Sequence, residues 1–424
     1  MNSNINAEKT PMSTVFPNQQ AASDNVIKAF EQNPQLAMMM VVGLAQGGKT
    51  GAMLATSLDF MKHVKMGIPP ENIYLITGFS SVDWEIQTRA RLPEALRPNV
   101  YHRNKLSQGF KKSITGKTNV LILIDEVQIA AGKTHTLAKV FESLGYLDTQ
   151  FLVKNKIKVV QFSATPNGTL YDGTDTLNKH YAITKLEASE GYHGVRHFYD
   201  NGRLLPFKPL SGGAYDPESM EELKKVIEEK YSTPRYHIIR TPTGLGQYEV
   251  IVNMFGVRGE DGKRKDGVFE EEKYDIIMYD MENNSKTHKI GGEIVCEIDY
   301  ILKTKPVKHT FILLKEKARC SKTFPKTHIG VWYERYTENP MDDVIVQGLL
   351  GRAGGYDDPG DSIIFTSIKS AEDYLALWDS DFDKSCDWTS RTTKLELDEV
   401  VSKGTWVSLV KVPEKSEIGM GVSQ

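Results

Sequence analysis

With 424 residues, 40% of them hydrophobic and 25% charged, the chain has room for two or three domains and an ordinary composition for a soluble globular protein. A net charge of −3 excludes a global basic field, and three dispersed cysteines, Cys296, Cys320 and Cys386, exclude a closely spaced disulfide or zinc framework. No apolar run approaches the ~20 residues of a membrane span and the opening residues lack a basic-then-apolar leader pattern, so a soluble, intracellular, cytoplasmic protein with reduced thiols is expected.

Residues 1–24 are polar and expected to be loose, and a helical pattern starts at Asn25–Phe30. The apolar run Leu36–Val42 then reads as a strand. It leads into Gly43-Leu44-Ala45-Gln46-Gly47-Gly48-Lys49-Thr50, and Gly51–Phe60 reads as a helix. Strand, glycine-rich turn and helix form the context in which a G-x-x-x-x-G-K-[ST] match binds phosphate. Further strands are expected at Ile73–Thr77, near Val100–His102, at Val120–Ile124 and at Ile157–Phe162, with helical spacing in Trp84–Leu92 and Leu137–Leu144. This alternation predicts a parallel sheet with helices on both faces, a first domain over 25–185. Residues 186–230, rich in Gly, Pro, Asp and Ser and ending in the charged helix Glu218–Tyr231, read as a connector.

A second alternating block, 231–390, begins with strand Arg235–Arg240. Strand Tyr274–Tyr279, helix Gly292–Leu302, strands His309–Leu314 and His328–Trp332, helix Asp342–Leu350 and strand Ser362–Thr366 follow. The charged, glycine-punctuated stretch Arg258–Gly267 reads as a solvated hairpin. His309 and His328, on apolar strands, read as partly buried structural residues. The tail, 391–424, holds a short β-like run at Thr405–Val412.

The chemistry-bearing residues fall at strand ends. In the glycine-rich turn, Gly43, Gln46, Gly47 and Gly48 let backbone N–H groups face phosphate oxygens, Lys49 adds a point charge, and the Thr50 hydroxyl is placed to ligate Mg²⁺. Strand Val120–Ile124 delivers Asp125 and Glu126 to the carboxyl edge of the sheet, where Asp125 would hold Mg²⁺ and Glu126 would orient or deprotonate a water. Ser163 and Thr165 end the next strand, a position that also suits a simple turn. Near the other end, Gln347-Gly348-Leu349-Leu350-Gly351-Arg352 finishes a helix in glycines, from which Arg352 could reach a γ-phosphate.

Phosphate loop, Asp-Glu-Val-Gln box, Ser-Ala-Thr and the Gln347–Arg352 element occur in the order that resembles superfamily 2 helicases and translocases, most closely compact virus- or phage-type members. The resemblance implies two tandem RecA-like P-loop domains of α/β class, with parallel sheets and ATP-Mg²⁺ in a cleft between them. It implies a catalytic set of Lys49, Glu126, Gln347 and Arg352. Phe16-Pro17-Asn18-Gln19-Gln20 is similar to the adenine-reading glutamine element, with Gln20 or Gln19 on the base. Gln128, Ser163 and Thr165 would link hydrolysis to strand binding, and Thr77, Gly78, Arg103, Thr241, Arg319 and Lys322 would touch a nucleic-acid backbone. Where the family carries a second arginine this chain has Gly355, and Gln347 stands one residue further from Gly351 than usual. The expected activity is an ATP-dependent helicase or translocase acting on DNA or RNA, with replication, transcription or repair proteins as further partners. An ATP-gated clamp and the motor of a DNA-packaging or restriction machine are the alternatives.

Overall fold

A computed structural model describes residues 15–80, 82–126, 136–166, 180–242, 245–260, 264–279, 287–290, 293–315, 323–383 and 385–389. The expected coupling residue Gln128, the expected backbone contacts Arg319 and Lys322, and the C-terminal β-like run lie outside them. The chain divides into two compact units, residues 1–189 with 391–424 and residues 190–390. Among the described residues, no helix is long and apolar enough to cross a membrane.

The first unit opens with helix α1 (Pro17–Gln32), then strand β1 (Met38–Gly43), α2 (Lys49–Lys62), β2 (Ile73–Thr77), α3 (Val82–Arg91), β3 (Val100–Tyr101), α4 (Lys111–Ile114) and β4 (Val120–Asp125). It closes with α5 (Thr136–Leu144), α6 (Thr149–Lys154), β5 (Ile157–Ser163) and β6 (Tyr181–Leu186). The six strands form one sheet in the order β3-β2-β4-β5-β1-β6, every pairing parallel. All residues of β1, β2 and β4 are buried, as expected of strands covered on both faces. Register decides the site. Thr77 lies opposite Asp125, Asp125 opposite Phe162, and Ser163 opposite Val42, so four strands end together at one edge. Because β5 stands between β1 and β4, the strands that carry the phosphate loop and the acidic pair are two strand spacings apart, ~10 Å.

Residues 17–24, expected to be loose, belong to helix α1. Pro17 opens α1 at a position where a missing N–H costs nothing. Ala22, Val26 and Phe30, at helical spacing, enter the first core, where the rings of Phe30 and Phe60 meet edge-on at 5.8 Å.

The second unit contains α7 (Val195–Asp200), β7 (Leu204–Pro206), α8 (Pro217–Lys230), β8 (Tyr236–Arg240), α9 (Leu245–Phe255), β9 (Gly256–Arg258), β10 (Arg264–Asp266) and β11 (Tyr274–Tyr279). Strands β12 (Thr287–Ile290) and β13 (Glu293–Cys296), helix α10 (Glu297–Lys303), β14 (His309–Leu314), β15 (Ile329–Tyr333), α11 (Asp342–Val346), α12 (Leu349–Ala353), β16 (Ile363–Thr366) and α13 (Ile368–Asp379) complete it. A second parallel sheet runs β11-β14-β8-β15-β16-β7. Each unit is thus of α/β class around one parallel six-stranded sheet, as expected. Strands β9 and β10, on either side of residues 261–263, which lie outside the described residues, pair antiparallel.

Residues 186–230 are not a connector. Strand β7 pairs with β16 as the outermost strand of the second sheet, and α8 places Met220, Leu223 and Ile227 in the second core. The charges of α8 fill its solvent face, while the apolar residues at i, i+3 and i+7 make the buried stripe. Helix α10 also starts later than expected, because 293–296 pair as a strand.

Leu223, fully buried, should therefore behave as a core residue. Leu223→Ala is expected to remove about 2–4 kcal/mol from the second unit in urea unfolding followed by near-ultraviolet dichroism, against the ~0.5 kcal/mol typical of an exposed linker position.

Candidate functional site

The phosphate loop leaves the buried strand β1 at Gly43 and enters α2 at Lys49. Gln46 and Gly48 both take positive φ, 59° and 95°, which coils the backbone so that successive N–H groups can face one concavity. No side chain caps α2, whose N-cap is Gly48. An uncapped helix start and a coiled loop together make an anion site. A Cβ on Gly43 would lie 3.2 Å from Cγ of Lys49 and 2.9 Å from Leu186, so glycine there lets the lysine stem lie across the strand end.

Lys49 is only 9% exposed. Its ammonium stands 3.6 Å from Oε1 of Glu126 and 3.5 Å from the carbonyls of Gly43 and Leu44. A buried cation requires such partners, and these are the groups a phosphate oxygen would join or replace. Asp125 ends β4, 6% exposed, and its Oδ2 accepts a hydrogen bond from the indole N–H of Trp84 at 2.7 Å. Burial, then repulsion from Glu126, pushes the Asp125 carboxyl up to about 6, against the opposing pull of Lys49 and of the Trp84 hydrogen bond. Glu126 has left the strand with φ 51°, left-handed backbone that a non-glycine residue adopts at a cost of about 1–3 kcal/mol, while its N–H still donates to the Phe162 carbonyl at 2.9 Å. That turn aims the second carboxylate at Lys49 instead of letting it alternate to the opposite face.

The residues present fit Mg²⁺. Thr50, Asp125 and Glu126 supply hard oxygen donors at one sheet edge, and Trp84 occupies only one oxygen of Asp125. Among the described residues no group of three or more His, Cys, Asp or Glu could hold a metal by itself. The ion would be shared with phosphate oxygens and water, as Mg²⁺ prefers.

Of the two candidate adenine-reading glutamines, Gln19 reaches the loop. Its Nε2 donates to the Gly48 carbonyl at 3.2 Å and its Oε1 accepts from the Phe16 N–H at 3.0 Å. A Cβ on Gly51 would fall 2.1 Å from the Gln19 amide oxygen, so glycine in the first turn of α2 makes room for that side chain. Gln20 is turned about 100° around α1 and donates instead to Asp24 and Asp59 at 2.9 and 2.7 Å. Of the pair, Gln19 is thus the one beside the phosphate loop, while Gln20 is engaged with Asp24 and Asp59.

Several expected contacts are committed to the fold. The Thr77 hydroxyl donates to the Asp125 carbonyl at 3.0 Å, and Thr241 uses both N–H and hydroxyl on the Leu314 carbonyl at 3.0 and 3.2 Å. Both threonines and Gly78 are buried, and the two hydroxyls close strand ends. Arg103 remains half-exposed, its N–H held by the Phe79 carbonyl at 2.7 Å. Ser163 accepts from the Thr165 N–H at 3.2 Å, and both are fully buried in a hydroxyl turn after β5.

In the second unit, Arg352 on α12 is 6% exposed, and its Nη1 donates to the carbonyls of Gln347 and Gly348, each at 2.6 Å. The side chain thus closes the turn that Gln347 begins. Gly355 has φ 125° and exchanges two 2.8 Å hydrogen bonds with His193, a conformation that disfavours the arginine of the family pattern. Glu334, which the sequence did not single out, is 2% exposed after β15. It accepts from Arg240 at 3.0 Å, from the Arg335 N–H at 2.9 Å and from the Leu349 N–H at 2.7 Å, tying the end of β8 to the start of α12.

No family model matches the chain. An uncharacterized protein of Acanthamoeba polyphaga mimivirus is 23% identical over 357 residues, covering 81% of this chain and 84% of that protein. Similar solved structures include a DEAD-box helicase bound to single-stranded RNA and UDP-BeF, at 14% identity and TM-score 0.48, over 87% of this chain and 73% of that one. They also include the E. coli DExH-box NTPase HrpB, at 15% identity and TM-score 0.46, over 85% of this chain and 43% of that one. The Pyrococcus furiosus Hef helicase domain matches at 11% identity and TM-score 0.39, over 85% of this chain and 99% of that one. The chain thus spans less than half the length of the E. coli NTPase.

Asp125 has a folded-state pKa above its unfolded value, so ionising it opposes folding above about pH 6, and that opposition fades as the pH falls toward 4. Without metal or nucleotide, Asp125→Asn is expected to stabilise the first unit by about 1–3 kcal/mol at pH 8 and by roughly half as much at pH 5. Thermal melts at the two pH values check this.

Proposed function

We propose that the chain is an ATP-dependent motor of the superfamily 2 helicase or translocase type, hydrolysing ATP in response to nucleic acid. The observation that carries the reading is the buried meeting of Lys49 with Glu126, 3.6 Å apart, beside Asp125 at the edge where the phosphate loop ends. A loop of inward N–H groups and an ammonium suits the β and γ phosphates, and a neighbouring carboxylate suits a water attacking the γ-phosphate. Bound Mg²⁺ would neutralise charge on the β and γ oxygens. Thr50 and Asp125 are the residues to hold it, Gln19 the residue to read the base, and Glu126 the residue to orient the water and take its proton.

Nucleic acid as the stimulating partner rests on the motif order and on the second RecA-like sheet. DEAD-box and DExH-box proteins among the structural neighbours support it at the level of fold. In the second unit, Arg352 is the candidate for the transition-state charge, provided it exchanges the Gln347 and Gly348 carbonyls for the γ-phosphate. Its inward position and the glycine at 355 favour one further reading, an ATP-gated clamp that turns over slowly and unwinds little.

Steady-state ATPase rates without polymer and with single-stranded DNA, duplex DNA or RNA, at low salt because backbone contacts weaken as ions are added, test the reading directly. Stimulation by at least one polymer is expected; equal rates in all four would overturn the motor and leave the clamp. Lys49→Ala should abolish nucleotide binding and turnover together. Glu126→Gln should retain nucleotide binding and lose turnover by roughly 10²–10⁴. Arg352→Ala should bind ATP as wild type yet hydrolyse it at least about a hundredfold more slowly, and wild-type turnover in that variant would remove Arg352 from the mechanism.

A further inference from the structure

We infer that Trp84 is a positioning residue for the Asp125 carboxylate, setting which of its oxygens is free for the nucleotide-bound cation. This rests on the nucleotide site proposed above. Trp84 sits in the first turns of α3, 6% exposed, with its ring among the first unit's apolar core and its single N–H on Oδ2 of Asp125 at 2.7 Å. An indole has one donor and no acceptor, so it engages a single carboxylate oxygen, here Oδ2 of Asp125. Glu126, the neighbouring carboxylate, is instead held toward Lys49. The two adjacent carboxyls are thereby sorted, one toward an indole and one toward an ammonium.

The segment that carries Trp84 returns to Asp125 twice. Thr77, the last residue of β2, donates its hydroxyl to the Asp125 carbonyl at 3.0 Å, and its oxygen in turn accepts from the Phe79 N–H at 3.3 Å. Seven residues on, Trp84 takes the side chain of the same aspartate. Backbone and side chain of Asp125 are therefore fixed from one short segment, which the Arg103 N–H also braces through the Phe79 carbonyl at 2.7 Å. On the other side of α3, Glu85 gathers Arg89 at 3.0 Å, Lys105 at 2.8 Å and His102 at 3.5 Å, which holds the helix at the angle that aims the indole.

Trp84→Phe keeps an aromatic ring and removes the N–H. Binding of a fluorescent, non-hydrolysable ATP analogue is measured against Mg²⁺ concentration and again in EDTA, in wild type and variant. A charge-assisted hydrogen bond is strong enough for its loss to matter, and the variant is expected to need about tenfold more Mg²⁺ for half-maximal binding, with unchanged affinity in EDTA. Equal Mg²⁺ midpoints would overturn the role of Trp84, whereas a wild type with no Mg²⁺-dependent binding would overturn the nucleotide site itself. Should Trp84→Phe fail to fold, wild-type protein carrying ¹⁵N-tryptophan still decides. The indole resonance of Trp84 is expected to exchange slowly with solvent and to move on addition of Mg²⁺ with the analogue. An indole set whose members all stay fixed on that addition would overturn the inference.

Discussion

Three ionisable side chains, Lys49, Asp125 and Glu126, are buried together at one edge of the first sheet, and the rest of that unit is arranged around the cost of keeping them there. One ammonium faces two carboxyls in a low-dielectric setting, where unpaired charge is expensive and like charges repel. The repulsion is visible in Asp125, whose carboxyl is pushed up to about 6 chiefly by burial and then by its neighbour. The fold separates the two carboxyls by backbone geometry. The strand ends at Asp125, the left-handed turn at Glu126 sends the next side chain elsewhere, and the intervening strand β5 sets the distance to the phosphate loop. The sheet supplies the rigidity that keeps such a cluster sorted.

The second unit uses the same edge differently. There a buried carboxylate, Glu334, is engaged with an arginine and two backbone N–H groups, and a buried arginine, Arg352, is engaged with two carbonyls. Its charges are closed on themselves, where those of the first unit are gathered around an anion-shaped loop. Two sheets of one architecture thus carry unequal arrangements: one edge gathers an ammonium and two carboxyls beside a glycine-rich turn, while at the other the charged side chains are bonded to neighbouring turns.

Much of this was legible in the sequence wherever local pattern and tertiary role coincide. The apolar strands Ile73–Thr77 and His309–Leu314 appear at the expected residues, since a strand buried on both faces needs an unbroken apolar run. Strand β7 escaped notice because three residues ending in proline carry no period, and only its pairing with β16 makes it a strand. Helix α8 was misassigned to a connector because a helix lying on a sheet needs only a narrow apolar stripe. Adjacent Gln19 and Gln20 could not be told apart until Pro17 fixed where α1 starts and hence which face meets the loop. Thr77 and Thr241 show the opposite limit. A hydroxyl at a strand end suits a polymer phosphate and a neighbouring carbonyl equally well, and here the carbonyl has it. Trp84 gave no signal at all, for an aromatic residue on a helix reads as core until its N–H is seen to reach Asp125.

The pairing of β7 with β16 has a consequence in time. The first sheet is complete once β6 has emerged at Leu186, so every strand it needs is made before the second unit begins. The second sheet joins Leu204 to Ile364, its outer strand synthesised first and that strand's partner last. At about 5–20 residues per second, a ribosome takes roughly 10–30 s to bridge that interval. Throughout it, Met220, Leu223 and Ile227 of α8 have no finished sheet to cover them. The half-made chain therefore pairs a completed first sheet with a tethered apolar segment awaiting its last strand, and apolar surface left uncovered in this way is what exposes a growing chain to misassembly.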